Sequence, residues 1–139
     1  MPGSAAVNVY RRTAVNTADG GRLVLMAYEA AMGNLAEAEE ALAARDFEAK
    51  GRLVARAQEA ILELMGGLNP QAGPVAENLR TLYAYMLRTL AVVDPKGEQE
   101  RIAQVRGMLQ ELYSAWRTII DGPELRAVGA REEKKEARW

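Results

Sequence analysis

The residues with most chemistry to offer in this chain lie in one run, ENLRTLYAYMLRTL (77–90), and that chemistry is association rather than bond breaking. Leu79, Leu82, Met86 and Leu90 recur at three- and four-residue steps, as the core stripe of a helix does. Tyr83, Tyr85 and Leu87 then fall outside that stripe or at its edge. A helix apolar beyond its core face either sits deep in a bundle or offers a greasy surface to a partner.

Bond-breaking chemistry lacks its usual residues. The 139-residue chain holds no histidine and no cysteine. Zinc, haem and redox-metal sites therefore lose their common ligands, and di-iron bundles lose their Glu-x-x-His pairs. The two serines, Ser4 and Ser114, sit in no Gly-x-Ser-x-Gly elbow and have no histidine base. Solvated helix surface accounts for the glutamates better than an all-carboxylate site does. The expectation is a protein that is not an enzyme and holds no cofactor or metal.

A formal net charge of −1 gives no electrostatic case for nucleic acid or an anionic membrane. The longest apolar run, Leu23 to Tyr28, is far too short to span a bilayer. The opening MPGSAAVNVYRR lacks the basic-then-apolar pattern of a signal peptide. A soluble, intracellular protein is expected, and the missing cysteines fit the cytosol.

The elements that must position the run are helices, since alternation is absent and β-branched residues are sparse. The first is expected from a cap at Asp19 to about Ala44, with Leu23, Ala27, Ala30, Leu35, Ala38 and Leu42 facing inward. Arg45-Asp46 makes a turn and Asp46 caps the second helix, Phe47 to Met65, whose inner face is Val54, Ala57, Ile61 and Leu64. Gly66-Gly67 suits a left-handed stop. Pro74 opens the third helix, which runs to about Val92. Asp94-Pro95 repeats the cap-then-proline pattern before a fourth helix, whose seam is Ile102, Val105, Leu109, Leu112, Trp116 and Ile119.

Four helices with short connections imply an all-α fold, an antiparallel up-down four-helix bundle. The bundle spans residues 19–121. A flexible N-terminal arm, 1–18, precedes it, and a charged tail, 122–139, follows as a solvated extension or a short extra helix.

Two readings of the surplus apolar residues stand side by side. A wide stripe with tyrosines at its edge is ordinary bundle packing. A groove for a partner helix is the other, since methionine adapts in shape and tyrosine combines contact area with a polar tip. Val9, Tyr10 and Val15 are isolated apolar residues in the arm. If they dock on that groove, arm and partner compete.

The order of Tyr10, Val15-Asn16-Thr17-Ala18 and LVLMAYEAA (23–31) resembles the start of the flagellin-specific export chaperones, the FliS family. Ala57-Gln58, Glu63-Leu64, PVAENLRTLYAYMLRTL and Trp116 follow in matching order. The family's Ser-Pro after Thr-Ala is Asp19-Gly20 here, its Met-Leu-Tyr is Met26-Ala27-Tyr28, and its paired arginines after Tyr-Met are Arg88-Thr89. The Ala-Asn expected after the next leucine is Val92-Val93.

The resemblance implies a cytoplasmic chaperone that binds the disordered C-terminal segment of flagellin, prevents premature polymerisation, and keeps the subunit competent for flagellar type III export. It implies a groove at Tyr28, Leu82, Tyr83, Tyr85 and Met86, with Tyr10 and Val15 as a covering arm. The flagellar export gate enters as a further partner, and monomer and weak homodimer both stay open. An adaptor or chaperone for another flagellar client predicts the same bundle.

Overall fold

The computed structural model describes Tyr10 and residues 18–122, with side chains in the bundle from residue 20 onward. Val15 and the tail from residue 123 lie outside the described residues. Four α-helices follow in order: α1 Ala18–Ala43, α2 Phe47–Gly66, α3 Pro74–Leu90 and α4 Glu98–Ile120, with a 3-10 turn at Pro70–Ala72 between α2 and α3. Each helix packs on its chain neighbours and α1 closes the ring against α4, which makes the antiparallel up-down bundle. The described residues contain no strand beyond one isolated backbone bridge, Tyr10 to Leu68.

Packing is closest between α1 and α2, where Ala31 and Ala38 on one helix and Ala57 and Ala60 on the other are buried. Small side chains let helix axes approach. The thinnest of the four seams lies between α3 and α4.

The inner stripe of α1 differs from the expected one. Val24, Tyr28, Ala31, Leu35 and Ala38 are buried, whereas Leu23 is 64% exposed, Ala30 is exposed and Ala27 is half-buried. Two overlapping registers share Leu35, Ala38 and Leu42, and only one can face inward. The register holding Tyr28 wins because an aromatic ring removes far more apolar surface from water than Ala27 can. In α2 the inner face is Leu53, Ala57, Ala60, Ile61 and Leu64, with Val54 half-buried. In α3 Ala76, Leu79, Tyr83 and Met86 are buried, and Leu82 and Leu90 are half-buried. The α4 seam holds Ile102, Val105, Leu109 and Trp116, and its last buried position is Ile120 rather than Ile119.

The helix ends follow side-chain chemistry. Arg45 turns the chain at φ 60, and Asp46 Oδ1 accepts a hydrogen bond from Ala49 N at 3.1 Å. Asp46→Ala is expected to cost about 1 kcal/mol, measured as a lower urea midpoint, because that N–H loses its partner. Gly67 ends α2 at φ −81, a right-handed conformation and not the left-handed one expected.

The α3–α4 connection also departs from expectation. α3 stops at Leu90, and α4 begins only at Glu98 after Gly97 at φ 78. Asp94 Oδ1 accepts from Lys96 N at 3.0 Å, so it shapes the turn instead of capping the helix. The Arg101 guanidinium then fastens the turn by donating to the Lys96 carbonyl at 2.7 Å and to the Asp94 carbonyl.

Candidate functional site

Tyr28, Tyr83, Trp116 and Tyr10 come from α1, α3, α4 and the arm and meet inside one end of the bundle. Tyr83 has no exposed surface, because the Ala76, Leu79, Tyr83, Met86 register turns it inward. Its hydroxyl bonds the Tyr10 hydroxyl at 2.7 Å and also the Tyr28 hydroxyl. The Trp116 Nε1–H donates to the Tyr28 hydroxyl at 3.0 Å. The Tyr10 and Trp116 rings lie 5.5 Å apart, tilted by 59°. Among the described residues no buried side-chain polar atom lacks a partner.

Burial pushes the Tyr28, Tyr83 and Tyr10 phenols well above their ordinary range, and the nearness of another phenol adds to the effect. All three are therefore neutral and act as hydrogen-bonding groups rather than as bases. Tyr113 stands beside this cluster, 6.5 Å from the Tyr28 ring, and its hydroxyl donates to Glu29 Oε2 at 2.6 Å. No group of acidic, histidine or cysteine residues among the described residues could hold a metal ion.

The seat of Tyr10 is built closely. Its backbone bridges Leu68, its ring faces Trp116, and it is only 4% exposed. A Cβ on Gly67 would stand 3.2 Å from Tyr10 Cδ1. The second glycine of the Gly66-Gly67 pair thus admits the arm, with no left-handed turn required of it. Gly67→Ala is expected to loosen the arm, read as severalfold faster trypsin cleavage after Arg11 and Arg12, which follow Tyr10 in the chain. Beside this seat α1 and α2 leave an apolar cleft of about 300 Å³, lined by Leu23, Val24, Ala27, Leu64 and Gly67, with Tyr10 as one wall.

Of the five expected groove residues, the structure leaves two with surface. Tyr85 is 39% exposed, its hydroxyl accepting from Gln104 Nε2 at 2.8 Å across the α3–α4 seam, and Leu82 is half-buried one turn earlier. Met108, Leu112 and Ile119 of α4 are half-buried as well. Tyr28, Tyr83 and Met86 have no exposed surface while Tyr10 is seated. Leu68 carried no signal in the sequence. Trp116 had one: a core indole needs an acceptor for its N–H.

The chain matches the family model for the flagellar protein FliS over residues 3–123. It is 31% identical over 111 residues to the flagellar secretion chaperone FliS of Bacillus subtilis, covering 80% of this chain and 83% of that protein. It is 32% identical over 117 residues to the flagellar secretion chaperone FliS of Salmonella typhimurium, covering 83% and 87%. The flagellar secretion chaperone FliSB of Pseudomonas aeruginosa is 27% identical over 107 residues. With its all-α bundle and a family match that spans every described residue, the chain belongs to the FliS family of flagellar secretion chaperones.

Proposed function

We propose that this chain is a cytoplasmic export chaperone whose client is flagellin, bound through the disordered C-terminal segment. Bound in this way, the segment is kept from premature polymerisation, and the subunit stays competent for flagellar type III export and delivery to the export gate. The names of the relatives supply the flagellar secretion context. The observation that carries the reading is the seat of Tyr10. There a residue from outside the bundle lies against an apolar end face through one backbone bridge, one ring contact and one hydroxyl bond.

Three parts divide the work: arm 1–18, bundle 19–121 and tail 122–139. Leu82 and Tyr85 meet the client on the open α3 edge. Tyr83 meets it when the arm, with Tyr10 and Val15, gives way, and Tyr28 and Met86 form the floor beneath. Each Leu-sized anchor buried there contributes roughly 1.5–3 kcal/mol, so a few anchors outweigh the cost of ordering the segment. No helix among the described residues is long and apolar enough to cross a membrane.

Titration of the full chain with a synthetic flagellin C-terminal segment, followed by circular dichroism, is expected to show induced helix with saturation in the micromolar range or below. Absence of binding at micromolar concentration sinks the reading. Binding of a different flagellar protein's segment in its place makes the chain an adaptor or chaperone for that client.

A further inference from the structure

The hydroxyl cluster at the arm seat has one donor to spare. The Trp116 indole carries a donor and no acceptor, so its N–H donates to the Tyr28 oxygen. Tyr28 and Tyr83 share one further hydrogen bond, which uses the proton of one phenol and leaves that of the other. The Tyr10 oxygen, bonded to Tyr83, stands where it can accept the proton left over. When Tyr10 leaves, three donor hydrogens share two hydrogen bonds, and one phenolic O–H of the Tyr28–Tyr83 pair faces the vacated seat without an acceptor.

We propose that this seat selects an occupant bearing a hydrogen-bond acceptor: whatever displaces the arm must set a carbonyl, amide or hydroxyl oxygen on Tyr83 while resting apolar surface on Trp116 and Leu68. This rests on the client reading above and specifies the chemistry of one client subsite. An all-aliphatic side chain fills the space and leaves a buried donor unpaired, which is costly in a dry site. An extended segment that turns a backbone carbonyl to Tyr83 satisfies it without any particular side chain. The seat thereby selects backbone or polar geometry within a face otherwise read by apolar anchors.

Two experiments on the full chain test this. In the first, the arm is the occupant, and trypsin cleavage after Arg11 and Arg12 reports its release. Tyr10→Phe is expected to speed cleavage about fivefold or more, and to have little further effect in a Tyr83→Phe background. O-methyltyrosine placed at position 10 keeps an oxygen that accepts and loses the proton that could donate. Its coupling to the Tyr83 hydroxyl, measured against the Tyr83→Phe background to remove the steric cost of the methyl, should match that of tyrosine. Coupling as small as that of phenylalanine overturns the acceptor role of Tyr10.

In the second, Tyr10→Gly empties the seat of its competitor and the flagellin C-terminal segment is titrated with and without Tyr83→Phe, the fold being checked by circular dichroism. Tyr83→Phe should weaken the segment roughly five- to fiftyfold. Equal or tighter binding by Tyr83→Phe overturns the acceptor requirement. No binding by either protein, or by the wild type, refutes the client reading instead.

Discussion

Replacing Tyr83 by alanine is expected to destabilise the bundle by roughly 3–5 kcal/mol, whereas Tyr85→Ala should cost less than about 1 kcal/mol. The two tyrosines are two residues apart on one helix, and their surroundings set the difference. Tyr83 has no exposed surface and its hydroxyl joins two others. Removing its ring opens a cavity among Tyr28, Tyr10 and Trp116, and it strips the Tyr28 and Tyr10 hydroxyls of a hydrogen-bond partner. Tyr85 is 39% exposed and loses one hydrogen bond, from Gln104, at an exposed seam.

Against a typical total of about 5–15 kcal/mol, the Tyr83 loss is a large fraction. Urea unfolding should show a midpoint lower by one to several molar, with little change in slope. Tyr85→Ala should appear chiefly in the client titration, as weaker binding by a protein of nearly normal stability. A Tyr83→Ala protein within about 1 kcal/mol of the wild type would mean that the ring does not pack in the core.

The sequence made the four helices legible because their punctuation is chemical. Asp46 caps α2 and Pro74 opens α3, as their types require. Which face each helix buries was harder to read. In α3 the registers Leu79-Leu82-Met86-Leu90 and Ala76-Leu79-Tyr83-Met86 share two members, and hydrophobicity favours the first. The second prevails because Tyr83 finds Tyr28 and Tyr10 for its hydroxyl, partners that lie 55 and 73 residues away in the chain. In α1 the same network draws Tyr28 inward and turns Leu23 out.

Periodicity within one helix carries no record of a partner on another, so the polar tips settled what the apolar stripes left undecided. Gly67 teaches a related lesson. Its residue type marked the end of a helix, and its reason, clearance for Tyr10, lay in a segment 57 positions earlier. Of the candidate site, Tyr85 was legible as surplus on α3, whereas Leu82 stood in the expected core stripe and is half-buried. The resemblance implied Tyr10 as a cover over Tyr28 and Tyr83, but the hydroxyl and indole bonds of the seat were not legible, because they join four separate parts of the chain.

Raising the pH past about 10 is expected to unfold the protein more steeply than an ordinary helical bundle. In the unfolded chain each tyrosine ionises near its ordinary value of about 10, while in the folded protein burial holds Tyr10, Tyr28 and Tyr83 protonated well above it. Above that pH the folded state therefore binds up to three more protons than the unfolded state, and its stability falls with pH. Below it both states are protonated and the three phenols add no pH dependence.

Each buried phenol contributes a slope of about 1.4 kcal/mol per pH unit, so three give about 4, beginning near pH 10 and lasting until the folded phenols themselves ionise. Urea midpoints measured across about pH 9 to 11.5 give the slope, and tyrosinate absorbance of the native protein shows which phenols have not titrated. Tyr28→Phe and Tyr83→Phe lower stability at neutral pH through lost hydrogen bonds, yet each should also reduce the alkaline slope by about a third. Tyr10→Phe should reduce it by the same share, because that phenol is buried only while the arm is seated. A wild-type slope worth two phenols, unchanged by Tyr10→Phe, would place Tyr10 outside its seat in solution. A slope worth three makes the pH titration a count of docked arms, and adding the flagellin segment should then remove one phenol's share as Tyr10 is displaced.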